Sequence, residues 1–187
     1  MIVASTFAVF AFSYGAHYSF SIYYVALLEE FGWSRGSTAG VFSLFLTVGA
    51  FGGLIGGALL DRFGPGRVMP AGGILLAAGL VATSRITQLW EFYVYFGAVV
   101  GFALSLTGWV SGITVVSRWF SGRQGIAIGI AAAGIGLATV VMAPFSQYLI
   151  STVGWRTAYL VMAAVALFGV VPQAALLQVG PAQKSWE

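Results

Sequence analysis

The chain has 187 residues, of which 59% are hydrophobic and only 7% are charged, whereas about a quarter of the residues in an ordinary soluble domain carry a charge. Together with a mean hydropathy of +0.95, this composition excludes a water-soluble fold. The absence of cysteine excludes disulfides and thiolate metal sites, and the scattered net charge of +3 excludes a nucleic-acid partner. No metal or cofactor is predicted.

Six apolar stretches follow one another between single charged residues. An ionised side chain at the bilayer centre costs at least ~2.5 kcal/mol, so charges are expected at the ends of membrane spans. The stretches predict an all-α membrane protein with a six-helix transmembrane bundle in residues 1–180, its helices covering approximately 4–28, 36–60, 68–85, 91–116, 124–150 and 157–178. Residues 181–187 are interpreted as the start of a cytoplasmic central linker or tail.

The first span has a row of polar side chains on one face. Tyrosines, a serine and the only histidine of the chain recur at intervals of three and four residues, at Tyr14, His17, Tyr18, Ser21 and Tyr24. Ionisable groups inside membranes are usually functional, and an imidazole titrates near neutral pH, so this face is the predicted substrate or proton site. The alternative is a structural histidine that is hydrogen-bonded between helices.

The turn after the second span contains two charges at the membrane edge, Asp61 and Arg62, followed by a sharp reversal at Gly64. An aspartate in this position can accept hydrogen bonds from a neighbouring helix N-terminus or pair with an arginine. The pattern predicts a gate latch formed by Gly57, Asp61, Arg62, Gly64 and Arg67. The alternative is an ordinary charged turn that obeys the positive-inside rule. This alternative explains Arg62 and Arg67 but not the spacing of Gly57, Asp61 and Gly64 around them.

Small residues recur along three predicted helices, where they allow helix backbones to approach closely. The rows are Gly49, Gly53 and Gly57 on the second helix, Gly97, Gly101, Ser105, Gly108 and Gly112 on the fourth, and Gly125, Gly129 and Ala133 on the fifth. They predict tight packing among these three helices. On the fourth helix, Ser105, Thr107 and Ser111 are weaker candidates for the substrate site, because hydroxyls in membrane helices often bond their own backbone.

Lysine and arginine are distributed unequally over the two sides of the predicted bundle. One side holds Arg62, Arg67, Arg118, Arg123 and Lys184, whereas the other side holds Arg35, Arg85 and Arg156. By the positive-inside rule, both termini are expected in the cytoplasm, in a multi-pass protein of the cell membrane.

Weak internal sequence similarity predicts that the bundle consists of two inverted three-helix repeats. Segment 59–64 followed by Arg67 resembles segment 149–154 followed by Arg156, and Arg35 after the first helix matches Arg123 after the fourth. Because each unit has an odd number of helices, its two copies would cross the membrane in opposite directions. Coincidence in a sequence rich in glycine and leucine is the alternative.

The turn after the second helix resembles the signature of the major facilitator superfamily, a Gly-x-x-x-Asp-Arg-x-Gly string followed by basic residues. Gly66 stands where a basic residue is often found in the family, which leaves Arg67 and implies a weaker latch. The resemblance implies that Asp61 and Arg62 help to hold a cytoplasmic gate. It also implies that the chain is the N-terminal half of a twelve-helix secondary transporter that works by alternating access.

Other strings resemble the monocarboxylate transporter and oxalate/formate antiporter group of that superfamily. They are Phe31-Gly32-Trp33-Ser34-Arg35, Arg118-Trp119-Phe120 with Arg123 and Gly125, and Gly154-Trp155-Arg156. The implied substrate is a small carboxylate or similar organic anion, and proton symport and antiport both stay open. The implied partners are the lipid bilayer, this anion with or without a proton, and either the missing C-terminal six-helix half or a second copy.

Two other functions are compatible with a six-helix membrane protein. An intramembrane serine protease needs a serine nucleophile within reach of a histidine base. Ser111 has no histidine on the sixth helix, so the requirement is unmet unless His17 supplies the base. A non-transporting membrane subunit would need no charged gate turn. Transport, with no enzymatic activity, is therefore the predicted function. The isolated chain is expected not to transport, because no Lys or Arg lies at mid-span to neutralise the anion.

Overall fold

The computed structural model describes residues 2–119 and 124–176, and every regular element within these ranges is a helix. The prediction of an all-α fold is confirmed. Helix α1 covers Ile2–Phe31, α2 covers Arg35–Phe63, α3 covers Pro65–Thr83, α4 consists of the consecutive segments Leu89–Phe92, Tyr93–Val100, Gly101–Thr107 and Trp109–Trp119, and α5 covers Gln124–Leu176. Phe120, Arg123, Lys184, the side chain of Arg118 and the predicted linker 181–187 lie outside the described residues.

Glycines in the left-handed backbone region separate the first three helices. Gly32 ends α1 with a φ of +65°, and its N–H donates to the carbonyl of Leu28 at 3.0 Å. Gly64, with a φ of +78°, lies between α2 and α3. Pro65 is the first residue of α3, where the N–H that proline lacks would have no hydrogen-bond partner within the helix. Ser34 caps α2 by accepting the N–H of residue 37.

Helix α4 departs from regular α-helical geometry twice. Residues Tyr93–Val100 form a π-helix, and Gly108 adopts an extended conformation that interrupts the helix. Upstream, the Glu91 carboxylate accepts the N–H groups of Thr87 and Gln88 and fixes the helix start. Irregular helical segments of this kind often occur at functional sites.

Helix α5 is divided at Gly154, where φ is +82° and ψ is +159°. This backbone region is essentially confined to glycine. The break gives a first arm, residues 124–153, and a second arm, residues 155–176.

Four stretches within the described part of the chain are long and apolar enough to cross a membrane. They are Arg35–Phe63, Pro65–Thr83, Leu89–Ser117 and Gln124–Ala175. The last has 52 residues, more than twice the ~20 residues that one crossing needs. Helix α1 is not among the four, and its hydroxyl groups and His17 lower its hydropathy.

Packed aromatic rings and a pair of buried hydroxyls join α1 to α5. The rings of Tyr23 and Tyr159 stack with their centroids 3.9 Å apart. Ser146 on the first arm donates to the hydroxyl of Ser19, which donates in turn to the carbonyl of Met142 at 3.3 Å. These contacts place α1, whose side chains line the cavity described below, firmly against both arms of α5.

The predicted row on α4 packs against α2, since Gly97 and Gly101 contact Leu44 and Phe45, whereas α2 uses Gly52 and Gly56 beside the predicted Gly49. A Cβ atom on Gly52 would lie 2.7 Å from Ser105 Oγ, and one on Gly56 would lie 3.3 Å from the carbonyl oxygen of the same serine. Gly53 and Gly57 face open space among the described residues, so the prediction that they mediate packing is wrong. The same correction applies to two glycines of α5, Gly125 and Gly129.

A group that we call the Glu30 clamp, formed by Glu30, Trp155 and Arg156, joins the end of α1 to the break in α5. The Glu30 carboxylate accepts hydrogen bonds from the Trp155 indole and from the Arg156 guanidinium, the latter at 2.5 Å. The guanidinium also stacks on the Trp155 ring, 4.3 Å from its centroid. The indole hydrogen bond, and secondarily Arg156, hold the pKa of Glu30 below its ordinary value.

We expect the Glu30 clamp to stabilise the fold at neutral pH and to lose its effect in acid. Because the folded pKa is lowered, the stabilisation is present above the unfolded-state pKa of about 4.3 and is lost as the pH falls through the folded value. The two charged side chains are 39% and 48% exposed, so Glu30→Gln should lower the free energy of unfolding by only about 1 kcal/mol at pH 7.

Unfolding in mixed micelles at a series of pH values measures this effect. The difference between wild type and Glu30→Gln should shrink below about pH 5. Glu29→Gln, a substitution of the exposed neighbouring carboxylate, should change little at any pH. An equal loss in both variants would contradict the clamp.

Candidate functional site

A cavity of about 240 Å³ lies where α1, α2 and α4 meet. Its wall consists of Tyr14 and His17 on α1, residues of α2 between Phe45 and Gly53, and α4 on both sides of the break. No Lys, Arg, Asp or Glu is among its described lining residues. Pockets for drug-sized ligands occupy ~300–1,000 Å³, so this cavity suits a smaller molecule.

Tyr14 connects α1 to the break in α4. Its hydroxyl accepts a hydrogen bond from the backbone N–H of Trp109, the first residue after Gly108, at 3.2 Å. The first N–H groups of a helix have no partner within that helix, and an unsatisfied backbone group in lipid costs several kcal/mol. Tyr14 therefore satisfies one of the N–H groups that the break in α4 leaves without a helical partner, and this hydrogen bond holds the Tyr14 hydroxyl at the cavity wall.

The imidazole of His17 lies between aromatic rings and the cavity. Its centroid is 5.4 Å from the ring of Phe42, 5.3 Å from that of Phe45 and 4.7 Å from that of Tyr18. Its Nδ1 atom is buried and has no hydrogen-bond partner among the described residues. Burial of such an atom is unfavourable unless a partner is supplied, so His17 is the wall residue best suited to bind a polar ligand or to carry a proton.

The structure brings only some of the predicted residues of α1 to the cavity. Tyr18 is 37% exposed and contacts His17 edge-on without lining the cavity. Ser21 is exposed. The hydroxyl of Tyr24 donates to the carbonyl of Arg35 at 3.0 Å, so it links α1 to the start of α2.

The three hydroxyl residues of α4 differ in position. Ser105 lines the cavity, although its hydroxyl donates to the carbonyl of Phe102 at 2.7 Å. Thr107 is buried and bonds the carbonyl of residue 103. Ser111 reaches back across the break and donates to the carbonyl of Ser105 at 3.3 Å. Thr107 and Ser111 thus satisfy backbone groups and leave the cavity to Ser105.

Several wall residues were missed by reasoning from the sequence. Trp109 and Val110 enter the wall because of the break, and Phe45 covers His17 from α2. In the sequence, Gly108 indicates the position of the break, since a glycine in an apolar helix can mark an irregularity. Gly53 leaves room for the cavity because no atom lies within 4 Å of the place where its Cβ would be.

The predicted gate turn lies at the junction of α2 and α3, and none of its residues lines the cavity. Gly64 makes the reversal there. Asp61, Arg62 and Arg67 are exposed, and the Arg62 guanidinium lies 5.2 Å from the centroid of the Phe63 ring. The turn therefore presents two cations and one carboxylate on the surface.

Comparison with protein families gives one match over almost the whole chain. The model of the Major Facilitator Superfamily matches residues 6–187.

The curated relatives that the chain matches include several monocarboxylate transporters. The chain is 33% identical to monocarboxylate transporter 13 of Bos taurus over 89% of its own length and 39% of the relative's length. It is 33% identical to human monocarboxylate transporter 11 and 26% identical to human monocarboxylate transporter 2, over 95% and 98% of the chain. These two alignments cover 37% and 38% of the relatives, so the chain spans about two fifths of the length of the proteins it matches.

Proposed function

Because the chain belongs to the Major Facilitator Superfamily, a family of transporters and not of enzymes, we propose that it forms one half of a secondary transporter for a small carboxylate. It is a multi-pass membrane protein. One observation carries the proposal. Nearly the whole chain matches monocarboxylate transporters, but the matched region is only about two fifths of the length of those relatives. The other half is a C-terminal bundle or a second copy of the chain.

In this proposal the chain crosses the membrane six times, once with each of the helices α1 to α4 and once with each arm of α5. The 52-residue apolar stretch crosses twice, once with each arm of α5, and α1 crosses with its polar face turned inward. Helices α1 to α3 then form one repeat, and α4 with the two arms forms the other. Gly64 and Gly154 support the repeat, because their φ and ψ angles agree within 4° (78° and 156° against 82° and 159°) and each separates the last two helices of its unit.

The cavity beside His17 is one wall of the substrate site in this proposal. Its volume suits a carboxylate of few heavy atoms, and the Tyr14 hydroxyl and the His17 imidazole are polar groups that such an anion can contact. The described wall has no Lys or Arg, so the opposite half must supply the compensating cation. Protonation of His17 would couple anion binding to a proton.

The turn around Asp61 and Arg62 serves as the cytoplasmic gate, and both termini lie in the cytoplasm of a cell-membrane transporter. Alternating access then consists of rocking of the two halves about the cavity, with the substrate bound differently in the two states. The exposed Arg62 and Arg67 support this role, because their guanidinium groups lie on the surface, where the second half can contact them.

Uptake into liposomes tests whether the chain is half of the machine. We expect no saturable uptake of radiolabelled pyruvate by liposomes that contain this chain at low density. Saturable uptake that rises in proportion to protein density would contradict the half-transporter. Uptake that rises with the square of the density would identify a second copy as the other half.

A further inference from the structure

A second cavity lies at the connection between α3 and α4, apart from the one beside His17. Its volume is about 470 Å³, within the usual range for ligand pockets. Three small apolar residues of α3, Ala78, Val81 and Ala82, form a groove that leads to the connection. The groove therefore runs along the apolar side of α3 to the polar connection where α3 ends and α4 begins.

Two opposite charges line this cavity without pairing to each other. Arg85 is exposed and forms no ion pair with any described residue. The Glu91 carboxylate accepts its hydrogen bonds from Thr87 and Gln88 through Oε2 alone, and no described donor reaches its other oxygen. The cavity thus presents to one ligand a guanidinium and a carboxylate oxygen that have no partner in the described part of the chain.

The surroundings place these charges at the level of lipid headgroups. The apolar stretch of α3 ends at Thr83 and that of α4 begins at Leu89, so Arg85 lies just beyond both. Trp90 is 58% exposed, and Tyr95 lines the cavity itself. Tryptophan and tyrosine are enriched at this depth because their rings are apolar on one side and polar on the other.

We propose that this cavity binds phosphatidylethanolamine. The phosphodiester pairs with Arg85, the primary ammonium of the headgroup donates to the free oxygen of Glu91, and one acyl chain lies along Ala78 and Ala82. An anionic lipid would leave the carboxylate unpaired, and a choline headgroup has no N–H to donate. The charge pair therefore selects a lipid with one phosphate and one primary ammonium.

Native mass spectrometry of the full chain in detergent tests the site with phosphatidylethanolamine, phosphatidylcholine and phosphatidylglycerol of the same short acyl chains. We expect phosphatidylethanolamine to bind most tightly. Arg85→Gln should weaken its binding about fivefold, as expected for one basic residue at a membrane surface. Arg35→Gln, a matched change of another exposed arginine, should leave binding unchanged.

Two further variants separate the parts of the site. Glu91→Gln should remove the preference for phosphatidylethanolamine over phosphatidylcholine, while the amide oxygen still caps α4. Ala82→Leu, which fills the groove and keeps both charges, should weaken the binding of all three lipids. Equal binding of the three lipids by wild type, or equal effects of Arg85→Gln and Arg35→Gln, would overturn the proposal.

Discussion

Gly53→Phe is expected to weaken binding of a monocarboxylate by tenfold or more while leaving the fold intact. Gly53 lines the cavity beside His17, and no described atom lies within 4 Å of the place where its Cβ would be. A phenyl ring there enters the cavity instead of the packed core, so it competes with the ligand without overpacking. The described wall of the cavity lacks a compensating cation, so we expect the chain by itself to bind pyruvate weakly. Equilibrium binding of radiolabelled pyruvate at high concentration to the chain in nanodiscs therefore measures the ratio between the variant and wild type.

The matched control is Gly36→Phe on the same helix. Gly36 also faces open space but does not line the cavity, so its variant should bind pyruvate like wild type. Thermal unfolding of both variants shows whether either has lost its fold. A similar loss of binding in the two variants would place the ligand elsewhere.

The largest loss of stability is expected from Gly134→Leu on the first arm of α5. A Cβ at this position would clash with the backbone carbonyl of Phe7, whose carbonyl carbon would lie at only 3.0 Å. Backbone atoms cannot move aside as a flexible side chain can, so α1 would have to separate from α5. We expect the free energy of unfolding to fall by about 3 kcal/mol.

Gly136→Leu provides the control two residues further along. No described atom lies within 4 Å of its Cβ position, so leucine should be tolerated and should favour the helix by up to about 1 kcal/mol. Unfolding in mixed micelles of increasing denaturing detergent compares the two variants. Equal stability of Gly134→Leu and Gly136→Leu would mean that α1 and the first arm do not meet at this point.

Periodicity on α1 identified the residues at the cavity but not where the site ends. Tyr14 and His17 line the wall, whereas Tyr24 lies on the same helical face and bonds the start of α2. Ten residues of helix extend about 15 Å, which exceeds the size of the cavity. The sequence shows which residues share a helical face. It does not show which of them lie at the cavity, because that depends on where α2 and α4 pack along α1.

The glycines of α2 show a second limit. Gly52 and Gly53 are adjacent, as are Gly56 and Gly57, so two rows with the same spacing run along the helix. Only the first member of each pair contacts α4. The spacing predicts that one row packs, but the choice between rows depends on the rotation of α2, which the contacts with Ser105 and Leu106 decide.

The irregular geometry of α4 had no periodic signal. An apolar sequence such as Tyr93–Val100 is equally compatible with α- and π-helix, because the choice depends on packing against neighbours such as α2. The hydroxyl of Tyr93 donates to the carbonyl of Ser37 at 2.6 Å, a contact 56 residues away in sequence. The all-helical class followed from composition, whereas the cavity required this long-range information.

Nitrogen NMR of the imidazole tests most directly the proposal that a carboxylate binds beside His17. The chain has one histidine, so labelling with nitrogen-15 histidine gives the signals of this site alone. We predict that pyruvate shifts the imidazole resonances saturably in wild type and in Gly36→Phe, and that in Gly53→Phe the same shift requires a pyruvate concentration at least about tenfold higher. Unchanged His17 resonances in wild type at concentrations where pyruvate binding is measured would contradict the claim.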